Sequence, residues 1–234
     1  MQLTRETIVR AALDLLDTYG LADTTMRRVA TSLGVAPGAL YWHIANKQAL
    51  IAAIGDAIVA PVLSPRPEST VNGDSADNPG AATASPKQLA LALRECVLAH
   101  RDGAEVTTAA LSQPENPTWL TLTGLVEESL SARLPADTRR VAAHAIIHLT
   151  LGAATMEQAQ TQLQEVQGPQ KSVASSAQQT ADSGAGASAS HHASDAIAPA
   201  TQLPTGGGSA LSHGVDIILN GLAAQKSDTL KNYD

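Results

Sequence analysis

Hydrophobic positions recur every three to four residues along most of the chain, and polar punctuation cuts that pattern into separate helices. Residues 4–19 carry Ile8, Ala11, Ala12, Leu15, Leu16 and Tyr19 on one stripe, with Thr4 to cap the start and Gly20 to close the end. A second helix is predicted from Thr25 to Leu33, with Val29, Ala30 and Leu33 inward and Arg27 and Arg28 outward. Gly34 supplies a sharp turn, and Pro37 suits the first turn of a short third helix over Ala36–His43. Asn46 caps a fourth helix, Lys47–Ala60, whose inward residues are Leu50, Ile51, Ile54 and Ile58 and which Pro61 is expected to stop.

The pattern then lapses over 64–85, where Pro, Ser, Gly, Asn and Asp read as a linker. Ser85-Pro86 opens a helix carrying Leu89, Leu93 and Val97, which ends near His100-Arg101-Asp102-Gly103. Short helices are predicted over 104–111 and 119–130. A long one runs from Pro135/Asp137 to Val166, and a last one from Ser209 to Ala224. Residues 167–208 are rich in Ala, Ser, Gln and Gly, include His191-His192, and are expected to be disordered. No segment reads as a strand, so the expected class is all-α.

Composition supports that class. Hydrophobic residues make up 44% of the 234 residues but aromatics only 2%, so Leu, Ile, Val and Ala must fill the core. One cysteine, Cys96, excludes an internal disulfide framework and fits the cytoplasm. Arg5, Glu6 and Arg10 interrupt the opening apolar pattern, so no signal peptide is expected, and no apolar run reaches the length of a membrane span. The net charge of −7 does not suggest a nucleic-acid binder. Residues 1–63, however, balance Arg5, Arg10, Arg27, Arg28 and Lys47 against Glu6, Asp14, Asp17, Asp23 and Asp56, so the excess acid lies downstream.

Two short helices across a Gly turn, Thr25 to Lys47, form the pattern of a helix-turn-helix, whose second helix enters the major groove. Leu40-Tyr41-Trp42-His43 and Asn46-Lys47 behind Thr24–Gly34 make residues 1–63 resemble the DNA-binding domain of the tetracycline-repressor family. His100-Arg101-Asp102-Gly103-Ala104 and Leu149-Thr150-Leu151-Gly152 resemble segments of that family's regulatory domain. The resemblance implies a three-helix helix-turn-helix domain over 1–63, a linker loop over 64–85, and a helical ligand-binding and dimerisation domain over 86–226 with 167–208 as an insert. It also implies a four-helix-bundle dimer interface, built from the long and the last helix of each subunit. Ala145, Gly152 and Ala153 would allow close approach there.

The DNA-binding candidates are Thr25, Arg27, Arg28, Pro37, Gly38, Ala39, Tyr41, Trp42, His43 and Lys47. For Arg28 an intramolecular ion pair competes with a DNA contact, and for Trp42 packing within its own domain is the rival. Pro37, Gly38 and Ala39 occupy the base-reading start of the helix, where the resemblance implies polar residues at two of the three places, so a different operator is expected. Ala39 suits a thymine methyl group.

The effector-binding candidates are Leu63, His100, Thr107, Trp119, Leu125, His144, His148 and Met156. Thr107 and Met156 stand where the resemblance implies a metal-proximal His and Glu, so the expected pocket is apolar and metal-free, and magnesium–tetracycline is not the expected effector. His144 and His148 share a helix face at a metal-binding spacing, but without a third ligand in sequence packing is the better reading. His100–Gly103 is implied to lie where the two domains meet.

No phosphate loop, metal triad or nucleophile elbow is present, so an enzyme is not expected. The reading is a homodimeric, cytoplasmic, ligand-responsive repressor without a cofactor, acting on double-stranded palindromic operator DNA and released by a small organic effector. The alternative is a DNA-binding regulator controlled by a protein partner.

Overall fold

The computed structural model describes residues 2–64, 84–167 and 206–231. Those residues form nine helices: α1 (Arg5–Tyr19), α2 (Met26–Ser32), α3 (Pro37–Tyr41), α4 (Lys47–Leu63), α5 (Pro86–Leu98), α6 (Gly103–Leu111), α7 (Pro117–Ser129), α8 (Ala136–Gln167) and α9 (Gly207–Lys231). Nearly all of the expected linker over 64–85 and insert over 167–208, with His191-His192, lies outside the described residues.

Local chemistry starts these helices where side-chain oxygens can take the free amides of the first turn. Thr4 and Thr7 close a reciprocal capping box on α1, and Ser85 and Gln88 close another on α5. Thr25, Asn46 and Asn116 cap α2, α4 and α7 by accepting from Arg28, Ala49 and Trp119 amides. Pro37, Pro86 and Pro117 occupy first-turn positions, where a missing N–H costs nothing.

Two boundaries correct the sequence expectation. Pro61 does not stop α4, which continues to Leu63. The proline is exposed and falls in the last turn, so it removes one ladder bond near an end that frays in any case. Val62 beyond it is buried, and Ser64 returns both its amide and its hydroxyl to the Ala60 carbonyl. The last helix begins at Gly207, inside the segment expected to be disordered. There Gly207 lies against the Glu157 carboxylate, where a Cβ has no room. Glu157 is itself held by Arg94 of α5 through two oxygens at 2.5 and 2.6 Å.

One continuous core runs through the molecule. Ile8, Leu16, Val29, Leu40 and Ile44 fill its α1–α3 end, and Leu93, Val97, Val106, Leu122, Ile146, Ile147 and Leu211 fill the other. Helix α4 joins the two, packing against α1 on one side and α5, α6 and α7 on the other. Helices α8 and α9 both pack on α5, and Lys87 to Asp216 pins α9 there at 2.7 Å. Their outer faces leave Val141, Leu149, Met156 and Ile217 exposed. A groove of about 520 Å³ runs between them, lined by Val141, Ala145, Ile217, Ile218 and Leu222 among others.

Candidate functional site

The turn between α2 and α3 requires Gly34, whose φ of 67° lies in the left-handed region. The Val35 amide then bonds back to Ala30 at 3.0 Å, which fixes the entry into α3. Helix α3 is shorter than expected: Ala36 is its N-cap residue and has no side-chain acceptor, and Trp42, still in right-handed helical geometry, is its C-cap residue, after which the His43 and Ile44 amides close the end on the Leu40 carbonyl. Leu40 and Ile44 are buried and anchor the segment. The residues between and around them turn outward.

Pro37, Gly38, Tyr41, His43 and Lys47 are exposed, Ala39 is half-buried, and Trp42 is 90% exposed. Trp42 therefore does not pack within its own domain. Its indole is left in water two residues from the buried Leu40. Arg27 is exposed as well. Arg28 differs: its guanidinium pairs with Asp23 and lies 4.2 Å from the centre of the Tyr19 ring. Of the two roles open to it, the structure provides the intramolecular one. The Thr25 hydroxyl is engaged as the α2 cap, accepting from Arg28 N–H at 3.3 Å.

A joint connects this unit to the rest. Asp17 of α1 accepts from the Arg101 amide at 3.1 Å and faces His100 Nδ1 at 3.0 Å. The Leu21 amide donates to Asp102 Oδ2 at 2.8 Å. Gly20 has φ 84°, and a Cβ there would stand 2.7 Å from the same Asp102 oxygen. The loop His100–Gly103 thus rests against the α1–α2 turn, where the resemblance implied it. His100 is drawn to α1 by this contact.

Of the remaining effector candidates, the structure brings three together. The Trp119 ring stacks on His148 at 5.5 Å and lies 5.2 Å from His144, with the two imidazoles 6.2 Å apart. Among the described residues no group of three His, Cys, Asp or Glu side chains could hold a metal ion. Thr107 is fully buried and its hydroxyl has no hydrogen-bond partner among the described residues. Leu63 and Leu125 are half-buried against the core. Met156 is 65% exposed, so it lines no enclosed pocket of a single protomer.

Sequence reasoning missed Thr123, a second buried hydroxyl without a partner among the described residues, and the joint residues Asp17, Gln158 and Gln162. Thr123 carries no periodic signal that separates it from an ordinary helix residue. The joint residues lie 54 to 84 positions from their partners.

An all-helical body bearing an anchored, outward-turned helix-turn-helix defines a DNA-binding regulator. Comparison with known proteins agrees with that class. The family description "Bacterial regulatory proteins, tetR family" matches residues 8–54. The chain is 32% identical to tetracycline repressor protein class A from transposon 1721 of Escherichia coli over 161 residues, which covers 68% of each chain. It is similar to the crystal structure of Mycobacterium smegmatis BioQ, with 28% identity, a TM-score of 0.65, and coverage of 95% of this chain and 99% of that one. It is also similar to the crystal structure of BioQ with its natural double-stranded DNA operator, with 33% identity, a TM-score of 0.57, and coverage of 71% and 92%. The chain belongs to the tetR family of bacterial regulatory proteins.

Proposed function

We propose that this chain is a homodimeric transcriptional repressor that binds a palindromic operator through residues 1–63. A small organic effector, bound within 86–226, releases it. The observation that carries the DNA-binding half is the exposure of Tyr41, Trp42, His43 and Lys47 around a buried Leu40. Two such units in successive major grooves require a two-fold partner. The exposed stripe Val141, Leu149 and Ile217, with its groove between α8 and α9, suits a second copy of this chain.

The effector half rests on Thr107. A buried hydroxyl with no partner among the described residues costs free energy that a bound hydrogen-bonding ligand recovers. Trp119, packed against His144 and His148, offers an aromatic surface in the same half of the chain, and neither Thr107 nor Met156 offers the hard-cation chemistry of a magnesium chelate. The effector is therefore a metal-free organic molecule with one polar group for Thr107. It acts by favouring a dimer whose recognition helices no longer match the groove spacing. The site of action is the cytoplasm, where operator DNA lies.

Selection of bound duplexes from a random pool by the purified full-length protein tests the DNA-binding half. A palindromic consensus is the expected product, and recovery of sequences without one rejects the proposal. Adding metabolite fractions to the selected complex tests the effector half, with loss of fluorescence anisotropy as the readout.

A further inference from the structure

Asp102 and Glu105 stand three residues apart at the head of α6, the spacing of a helix start whose first side chain caps the amides behind it. Asp102 does occupy the N-cap position, yet its side chain makes no cap bond. Its backbone sits at φ 54°, in the left-handed region, whereas a capping residue reaches forward from extended geometry. The amide it would satisfy, that of Ala104, is taken by Gln158 Oε1 of α8 at 2.9 Å. The Gln158 amide nitrogen donates to the His100 carbonyl at 2.7 Å. Gln162, one turn further along α8, donates to Asp102 Oδ1 at 2.7 Å. The other Asp102 oxygen holds the Leu21 amide of the α1–α2 turn.

We infer that the head of α6 is a two-position cap, in which Gln158 and Gln162 of α8 hold the Asp102 carboxylate off its own helix and on the α1–α2 turn. This inference deepens the regulatory part of the proposed function and rests on it. Ala104 is buried, so its amide must keep an acceptor. If α8 withdraws, Gln158 leaves that amide and Asp102 is the acceptor in reach. Turning Asp102 to extended geometry satisfies Ala104 and relieves the left-handed backbone at once. The carboxylate cannot then serve Leu21, and the α1–α2 turn loses its tie to the body.

Two exclusive uses of one carboxylate make the element bistable, as a switch requires. A groove of about 490 Å³ between α6 and α8, lined by Asp102, Glu105, Gln158 and Gln162 among others, leaves the spacing of these helices free to change at this point.

The test is amide exchange at Leu21 and Ala104 in full-length protein without DNA, for wild type, Gln158→Ala, and Gln158→Ala combined with Asp102→Ala. In Gln158→Ala, cap exchange keeps Ala104 within about threefold of its wild-type rate while Leu21 exchanges at least about tenfold faster. In the double variant Ala104 loses its last acceptor, and its exchange accelerates at least about tenfold as well. A glutamine with a purely structural role gives the opposite pattern in the single variant, with Ala104 fast and Leu21 unchanged. Accelerated exchange at Ala104 in Gln158→Ala, or an unchanged Leu21, overturns the inference. No DNA enters the measurement, so its failure is separate from a failure to find an operator.

Discussion

Gly55 of α4 lies directly against Ala110 of α6, so close that a Cβ on Gly55 would collide with the Ala110 methyl group. Gly55 falls in the middle of the helix that leads from the helix-turn-helix into the body. A glycine in a helix interior forgoes about 1 kcal/mol relative to alanine. Contact between the helix backbones compensates for it here. Gly55→Ala is therefore expected to lose about 1–3 kcal/mol through overpacking despite its better helix propensity, as read from a denaturant midpoint. Ala110→Gly in the same chain moves the methyl group from one helix to the other and should restore part of the lost stability. Failure of the double variant to recover would place the defect elsewhere.

Arg27, Lys47 and Arg28 should separate under salt. Arg27 and Lys47 are exposed and free to meet phosphate, while Arg28 is held by Asp23 and Tyr19. Arg27→Ala and Lys47→Ala are each expected to reduce the slope of log Kd against log salt by about 0.9, one phosphate contact apiece. Arg28→Ala should leave that slope unchanged. Binding isotherms at several salt concentrations measure all three.

Leu40 and Trp42 stand two residues apart with opposite duties. Leu40→Ala opens a cavity at a fully buried site and should cost about 2–5 kcal/mol. Trp42→Ala removes an indole that is 90% exposed and should leave the melting curve in place while weakening operator binding about tenfold, equivalent to about 1.4 kcal/mol. A clear drop in melting temperature for Trp42→Ala would return that residue to a packing role.

Thr107→Val keeps the shape of the side chain and removes a buried hydroxyl without a partner. The free protein is expected to gain about 1 kcal/mol of stability from it. The same variant should respond less to the effector, because the polar contact is gone. Calorimetry of the free protein checks the first outcome, and titration of the DNA complex with the effector checks the second.

Periodicity and capping chemistry made the helices legible. Thr4, Asn46 and Ser85 cap where hydroxyl and amide side chains precede an apolar stripe, and Gly34 sits at the turn that needs left-handed backbone. Pro61 misled because the rule against proline weakens in a last turn where Val62 still finds a buried place. Gly207 misled because low complexity hides a tertiary role, the close approach to Glu157. Trp119, His144 and His148 were all legible as candidates, but the packing of the Trp119 ring against both imidazoles depends on how α7 meets α8. Nothing local marks Asp17, Gln158 or Gln162, since each acts on a residue more than fifty positions away. The exposure of Trp42 likewise depends on Leu40 and Ile44 taking the buried side of a very short helix.

Operator binding is read by footprinting of the full-length protein on the DNA upstream of its own gene. The expected result is a protected palindrome with half-site centres about 10 base pairs, or ~34–36 Å, apart. Protection should vanish when Trp42→Ala and Lys47→Ala are combined. Uniform cleavage across the region at protein concentrations that saturate non-specific binding would contradict it.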